Sequence, residues 1–150
     1  MADQAADNAV FARFVFCDDF RQEVNGKHSL MGVYGQVMGV SGSPAALPKL
    51  VAVTSLSLPA SEAGHEVVLQ LHDGPNMLAE ARLQIAAPPA TAALAADPRF
   101  TRRLNVTVPM ELIGFEVRDG MRLVLSADIA GRHHESEPLE VAFAAQPTSH

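Results

Sequence analysis

The stretch HEVVLQLHDGPNMLAEARLQI, residues 65–85, decides the fold. Val67, Leu69 and Leu71 fall on one side of an extended chain, with Glu66, Gln70 and His72 on the other. Met77, Ala79, Ala81, Leu83 and Ile85 then share a side, opposite Glu80, Arg82 and Gln84. An apolar period of two is the mark of a strand with one dry face and one wet face. Asp73-Gly74-Pro75-Asn76 lies between the two runs. Those residue types reverse a chain, so the reading is an antiparallel hairpin closed by a four-residue loop.

The same period recurs outward from this hairpin. Phe14 and Phe16 alternate with Val15 and Cys17; Leu104, Val106 and Val108 with Asn105 and Thr107. Met121, Leu123, Leu125, Ala127 and Ile129 alternate with Arg122, Ser126 and Asp128; Leu139, Val141 and Phe143 with Glu140 and Ala142. Turn residues separate the runs at Asn25-Gly26, Asp119-Gly120 and Gly131. No helical period is sustained; only PPATAALAADPRF, residues 88–100, reads as a short turn capped by Thr91 or as a plain loop. SGSPAALPK, residues 41–49, reads as a connecting loop.

The expected fold is therefore all-β: an antiparallel two-sheet β-sandwich of immunoglobulin-like size with about eight or nine strands. Residues 10–145 form one domain between an N-terminal tail, 1–9, and a C-terminal tail, 146–150. The expected core is Phe14, Phe16, Val33, Leu56, Leu69, Leu71, Leu83, Val106, Leu123, Leu125, Val141 and Phe143. A chain of 150 residues buries roughly 70% of its unfolded surface, enough for an independent core.

The net charge of -6 and the lack of any basic cluster beyond Arg102-Arg103 exclude nucleic acid and anionic membrane as expected partners. No segment approaches the ~18 apolar residues of a spanning helix. The opening MADQAADNAV lacks the basic and apolar regions of a signal peptide, and a single cysteine makes no internal disulfide. The expected location is the cytoplasm.

Chemistry-bearing residues are densest in FVFCDDFRQEVNGKHSLMGVYG, residues 14–35. With Asn25-Gly26 as a two-residue turn, Val24 pairs with Lys27, Gln22 with Ser29 and Phe20 with Met31. Phe14, Phe16, Phe20, Val24, Met31, Val33 and Val37 then make an apolar face with Asp18 as its one intruder. A buried unpaired carboxylate costs several kcal/mol. Either a bulge at Asp18-Asp19 turns the carboxylates outward, the preferred account, or Asp18 stays inside and accepts from backbone N–H groups or Arg21. The other face carries Cys17, Asp19, Arg21 and Glu23 opposite His28, Leu30, Gly32 and Tyr34, with Arg21 between Asp19 and Glu23.

Cys17, Asp18, Asp19, Arg21, Glu23 and His28 are the candidate polar cluster. Beside two aspartates, the Cys17 thiol is poorly placed to ionise, so it reads as a small buried strand residue. Glu23 and His28 would face each other beside the turn, but no spacing supplies a third metal ligand. His133 and Glu135 share a face that His134 does not, in a polar strand end. No HExxH, G-x-S-x-G, Walker A or G-x-G-x-x-G pattern occurs. No catalytic residue, metal or cofactor is therefore assigned.

CDDFRQEVNGKHSLMGVYG, with Cys17, Asp18, Arg21, Glu23, Asn25, Gly26, Lys27, Gly32, Val33 and Tyr34, resembles the N-terminal hairpin of an uncharacterised bacterial family, a domain of unknown function. ADIAGRHHESEPLEV, residues 127–141, resembles that family's closing strands. The resemblance implies a β-sandwich and a bacterial origin, and brings no catalytic residue with it.

The leading functional expectation is a non-enzymatic binding or assembly module whose partner is a second copy of the chain or another protein. Val68, Leu78 and Val124 on the wet faces suggest self-association. The alternative is a metal-dependent hydrolase, or another enzyme, built on Asp18, Asp19, Glu23 and His28. A third is a structural subunit derived from a phage or a secretion system.

Overall fold

A computed structural model describes residues 8–42, 45–86 and 103–144. The described chain forms eleven strands: β1 (Phe11–Cys17), β2 (Asp19–Gln22), β3 (His28–Met31), β4 (Val37–Val40), β5 (Ala45–Pro59), β6 (Glu66–Asp73), β7 (Asn76–Gln84), β8 (Arg103–Val117), β9 (Arg122–Ile129), β10 (Arg132–Glu135) and β11 (Leu139–Phe143). One sheet has the order β1-β5-β8. The second has the order β4-β11-β9-β6-β7, with β10 also on β9, and β2-β3 is a separate ribbon. Of the expected N-terminal tail 1–9 only residues 8 and 9 are described, and the C-terminal tail 146–150 and the 88–100 turn lie outside the described residues.

The two larger sheets face each other across the core. Phe16, Leu50 and Ala52 from the first pack with Met38, Leu71, Leu123, Leu125, Leu139 and Val141 from the second. Further along, Leu56, Leu58 and Leu104 pack with Val67, Leu69, Ala127 and Ile129. Removing one such leucine side chain costs about 2–5 kcal/mol, because packed walls collapse only partly into the void.

The β6–β7 hairpin forms as the alternation predicts, but its loop is tighter. Asp73 pairs with Asn76, leaving Gly74-Pro75 as a two-residue turn, and an irregularity at Leu71/His72 absorbs the difference. Eleven strands replace the expected eight or nine. One pairing is also parallel rather than antiparallel: β11 runs alongside β4, Val141 opposite Met38. The chain leaves the β3 strand, crosses between the sheets through residues 32–36 and enters the second sheet at its edge, already heading the way β11 heads.

The expected loop at 41–49 gives way at Ala45, where β5 begins a fifteen-residue strand. Its centre, Leu50 to Thr54, is buried on both faces. Pro48 and Gly114 lie between the pairs Leu47–Phe115 and Lys49–Ile113, and Gly114 has φ 62°. There the alternation changes phase in both strands. Leu47 and Phe115 pack on the core, as Leu50 and Leu112 do, while Ile113 is 72% exposed.

The second face of the β5 centre is covered by the β2–β3 ribbon. Cys17, Val51 and Val53 form a small outer cluster beneath Val15, Phe20 and Leu30. The ribbon register differs by one residue from the two-residue-turn reading: Gln22 pairs with His28 and Phe20 with Leu30. Asn25 and Gly26 do adopt positive φ, 68° and 72°, but within a turn over Val24–Gly26 closed by Glu23 N–H donating to the Lys27 carbonyl at 2.7 Å. A one-residue slip exchanges faces. Leu30 consequently takes the inward place expected of Met31, while Val24, Met31, Val33 and Val37 are exposed. Val33, expected in the core, is 57% exposed.

Candidate functional site

The opening hairpin breaks at Asp18, between β1 and β2, as the bulge account requires. Asp18 is exposed. Its N–H reaches the carbonyls of Met31 at 2.9 Å and Gly32 at 3.2 Å, and its carboxylate accepts the Tyr34 hydroxyl. Burial first, and then the Asp18 carboxylate, push the Tyr34 phenol up to about 12.

Asp19 has different partners. Lys49 Nζ lies 2.6 Å from Oδ1 and Arg21 Nε 3.1 Å from Oδ2. Lys49 also reaches Glu111 at 3.2 Å, so one ammonium ties the ribbon to β5 and β8. The Lys49 hydrogen bond, followed by that of Arg21, holds the Asp19 carboxyl below its ordinary range. Arg21 and Glu111 are exposed and Asp19 and Lys49 only half-buried, so these pairs set position more than stability.

Cys17 is fully buried beneath the ribbon, its Sγ 3.4 Å from the Asp19 carbonyl. Burial, then Asp18, raises its thiol pKa, which opposes the thiolate a nucleophile needs. His28 tilts against the Phe20 ring, centroids 5.1 Å apart. Its cross-strand partner is Gln22 rather than the expected Glu23. The six candidates thus separate into a buried thiol, two carboxylates with different cationic or phenolic partners, and an exposed tip. Arg21 bonds Asp19 alone among the two carboxylates expected to flank it.

Two polar constellations lie elsewhere. Glu62, in the turn from β5 to β6, is buried; it binds His65 Nδ1 at 2.5 Å and the Arg132 guanidinium. The His65 bond and then Arg132 lower its pKa. The second lies on the outward face of β9 and β10. His133 Nδ1 meets Asp128 Oδ1 at 2.7 Å and Nε2 meets Glu135 Oε1 at 2.8 Å. Glu135 and then Asp128 raise the imidazole pKa. His133 and Glu135 share that face while His134 does not, as strand alternation dictates. The carboxylates sit at opposite nitrogens of one ring, so they do not converge on a common point. Among the described residues no group of three or more His, Cys, Asp or Glu side chains is arranged to hold a metal ion.

Beside this network, an open cleft of about 350 Å³ is floored by Ser126, which is buried and whose hydroxyl has no hydrogen-bond partner among the described residues. A larger one, about 390 Å³, runs along the outer edge of β1 between Val33–Gln36 and Glu135–Leu139. No local pattern marks the edge cleft, because it is assembled from three separate segments. Lys49 went unread because its neighbours suggested a loop, and Glu62 because no strand pattern includes it.

Among the described residues no helix is long and apolar enough to cross a membrane. A family model described as a family of unknown function, DUF6941, matches residues 12–142. No curated protein and no solved structure matches the chain. The chain belongs to the DUF6941 family.

Proposed function

We propose that this member of the family is a non-enzymatic binding module that engages a protein partner through its sheet edges. One contrast carries the reading. The bonded ionisable groups of the candidate sites are tied up in small separate networks aimed apart, whereas backbone edges of both sheets stand without a described partner. Among the described residues β8, fifteen residues long, pairs only with β5, and β7 only with β6. Unpaired edges are templates for strand addition.

Backbone parity distinguishes these edges. Because the Phe16 carbonyl turns away from β5 to accept the Tyr34 N–H, odd residues of β1 bond to the odd residues of β5 opposite them over Val51–Ser57, the even residues there face β8, and Pro109, opposite Val53, faces away from the sheet. Proline lacks the N–H that an added strand would need there, so β8 is blunted at its middle. The outward face carrying Val68, Leu78 and Val124 is crossed by the Gln70–Glu80–Arg82 and Asp128–His133–Glu135 bonds. That polar grid favours a hydrated surface over a dry interface between two copies.

The test pans the immobilised full chain against a random-peptide display library. In parallel, chromogenic ester, phosphoester, glycoside and peptide substrates are assayed with Zn²⁺ or Mn²⁺. Enriched extended peptides with no turnover above buffer are expected. Turnover abolished by Asp19→Asn or His133→Ala would overturn the reading in favour of an enzyme.

A further inference from the structure

The β1 edge differs from the β7 and β8 edges in being recessed. Tyr34 N–H donates to the Phe16 carbonyl at 2.8 Å, so even-numbered backbone groups of β1 point away from β5. Asp18 N–H, directed at Met31 and Gly32, follows the same parity. Upstream, the N–H and C=O groups of Ala12 and Phe14, and the N–H of Phe16, face the 390 Å³ cleft, and no described residue bonds to them. The chain itself thus supplies one rung of an added strand, at Tyr34, and then turns away into the second sheet.

The cleft has two chemically distinct sides. Its inner part holds the half-buried rings of Phe14 and Tyr34 above the buried Leu139. Its far wall carries Glu135 and Glu137, both exposed, and no described cation pairs with Glu137. Arg13 also borders the cleft, but its parity places it with Val15 on the outer face of the sheet. The flanking segments 33–36 and 135–139 rise beside the edge. Segments flanking the edge on both sides favour a single extended peptide over the flat edge of a second sheet.

We propose that the β1 edge binds an extended peptide as an added strand, with alternate apolar side chains turned into the sandwich and a lysine or arginine against Glu137 and Glu135. The proposal rests on the binding-module reading and names its site and partner chemistry. Main-chain bonds supply affinity in strand addition, and alternate side-chain pockets supply selectivity. The net charge of -6 favours the same basic partner.

The probe is an acetylated, fluorescein-labelled seven-residue peptide of alternating valine and threonine with a lysine at each end. Its counterpart has glutamate at the ends. Polarisation titrations of the full chain are joined to amide hydrogen exchange by NMR. The lysine peptide should bind more tightly than the glutamate peptide and protect the amides of Ala12 and Phe14. N-methylating its alternate residues in one phase should weaken binding about tenfold per lost bond, and in the other phase not at all. Ala12→Pro removes an outward N–H without touching the β5 ladder and should weaken binding similarly; Glu137→Lys should reverse the peptide preference.

Protection at β7 or β8 instead overturns the site while leaving the binding-module reading intact. Failure of both peptides to bind overturns the proposal. So does prior protection of Ala12 and Phe14 in the free monomer, or protection that grows with protein concentration alone, which would mark a second copy as the occupant.

Discussion

Replacing Gly32 by alanine places a methyl carbon 2.0 Å from Asp18 Oδ2, 2.6 Å from its Cγ and 3.0 Å from its Cβ. The residue also has φ 63°. Two costs follow. Alanine in the left-handed region costs about 1–2 kcal/mol, partly offset by about 0.4–1 kcal/mol from a stiffer unfolded chain. The Asp18 side chain must also swing aside, breaking the Tyr34 contact and crowding the β1–β2 break, an overpacking cost of about 1–3 kcal/mol. The sum is about 2–4 kcal/mol. Gly26→Ala is the control: φ is 72°, and nothing lies within 4 Å of its added carbon. It should cost about 1 kcal/mol or less. Urea unfolding followed by circular dichroism measures both. In an Asp18→Ala background most of the excess cost of Gly32→Ala should vanish, since the two nearest atoms are gone. Equal losses for Gly32→Ala and Gly26→Ala, or no coupling to Asp18, would refute the close approach of Asp18 to Gly32.

Other consequences are as direct. Tyr34 is the only tyrosine and there is no tryptophan, so absorbance at the phenolate band reads this residue alone. It should titrate near 12; because the folded value lies above the unfolded one of 10.0, its contribution is present below pH 10 and is lost as pH rises towards 12. Cys17 should resist a disulfide exchange reagent at neutral pH, and Phe20→Ala, which thins the ribbon covering it, should speed the reaction roughly tenfold or more. Glu62→Gln should destabilise by about 1–2 kcal/mol at pH 7. The native pKa is depressed below 4.5, so the wild-type advantage should shrink as pH falls through that value, measured by thermal melts across pH.

Sheet chemistry was legible where one face was wet. β6, β9 and the part of β7 from Leu78 onward alternate because most of their outward residues meet water, Ser126 excepted, and Leu69, Ala81 and Ala127 accordingly share the inner face, while Met77, expected there, is exposed. β5 was obscured because Val51 and Val53 are covered too, so its centre has no polar partner row to reveal a period. The ribbon register failed at one point: Asn25-Gly26 has the backbone signs of a two-residue turn, yet Val24 joins the turn and moves Phe20 opposite Leu30. Of the candidate cluster, the burial of Cys17 followed the strand reading, while the strand pattern left two places open for Asp18, of which the outward one, preferred for its bulge, is the one observed. The partners Lys49, Glu111 and Tyr34 did not, because they depend on which distant strands become neighbours.

The parallel pairing of β4 with β11 has a consequence during synthesis. β4 ends at Val40, but its neighbour ends at Phe143. A ribosome adding about 5–20 residues per second needs roughly 5–20 s to cover that interval. Throughout it, Met38 and Val40 have no neighbouring strand, so the second sheet closes only after the nascent chain has delivered its last strand.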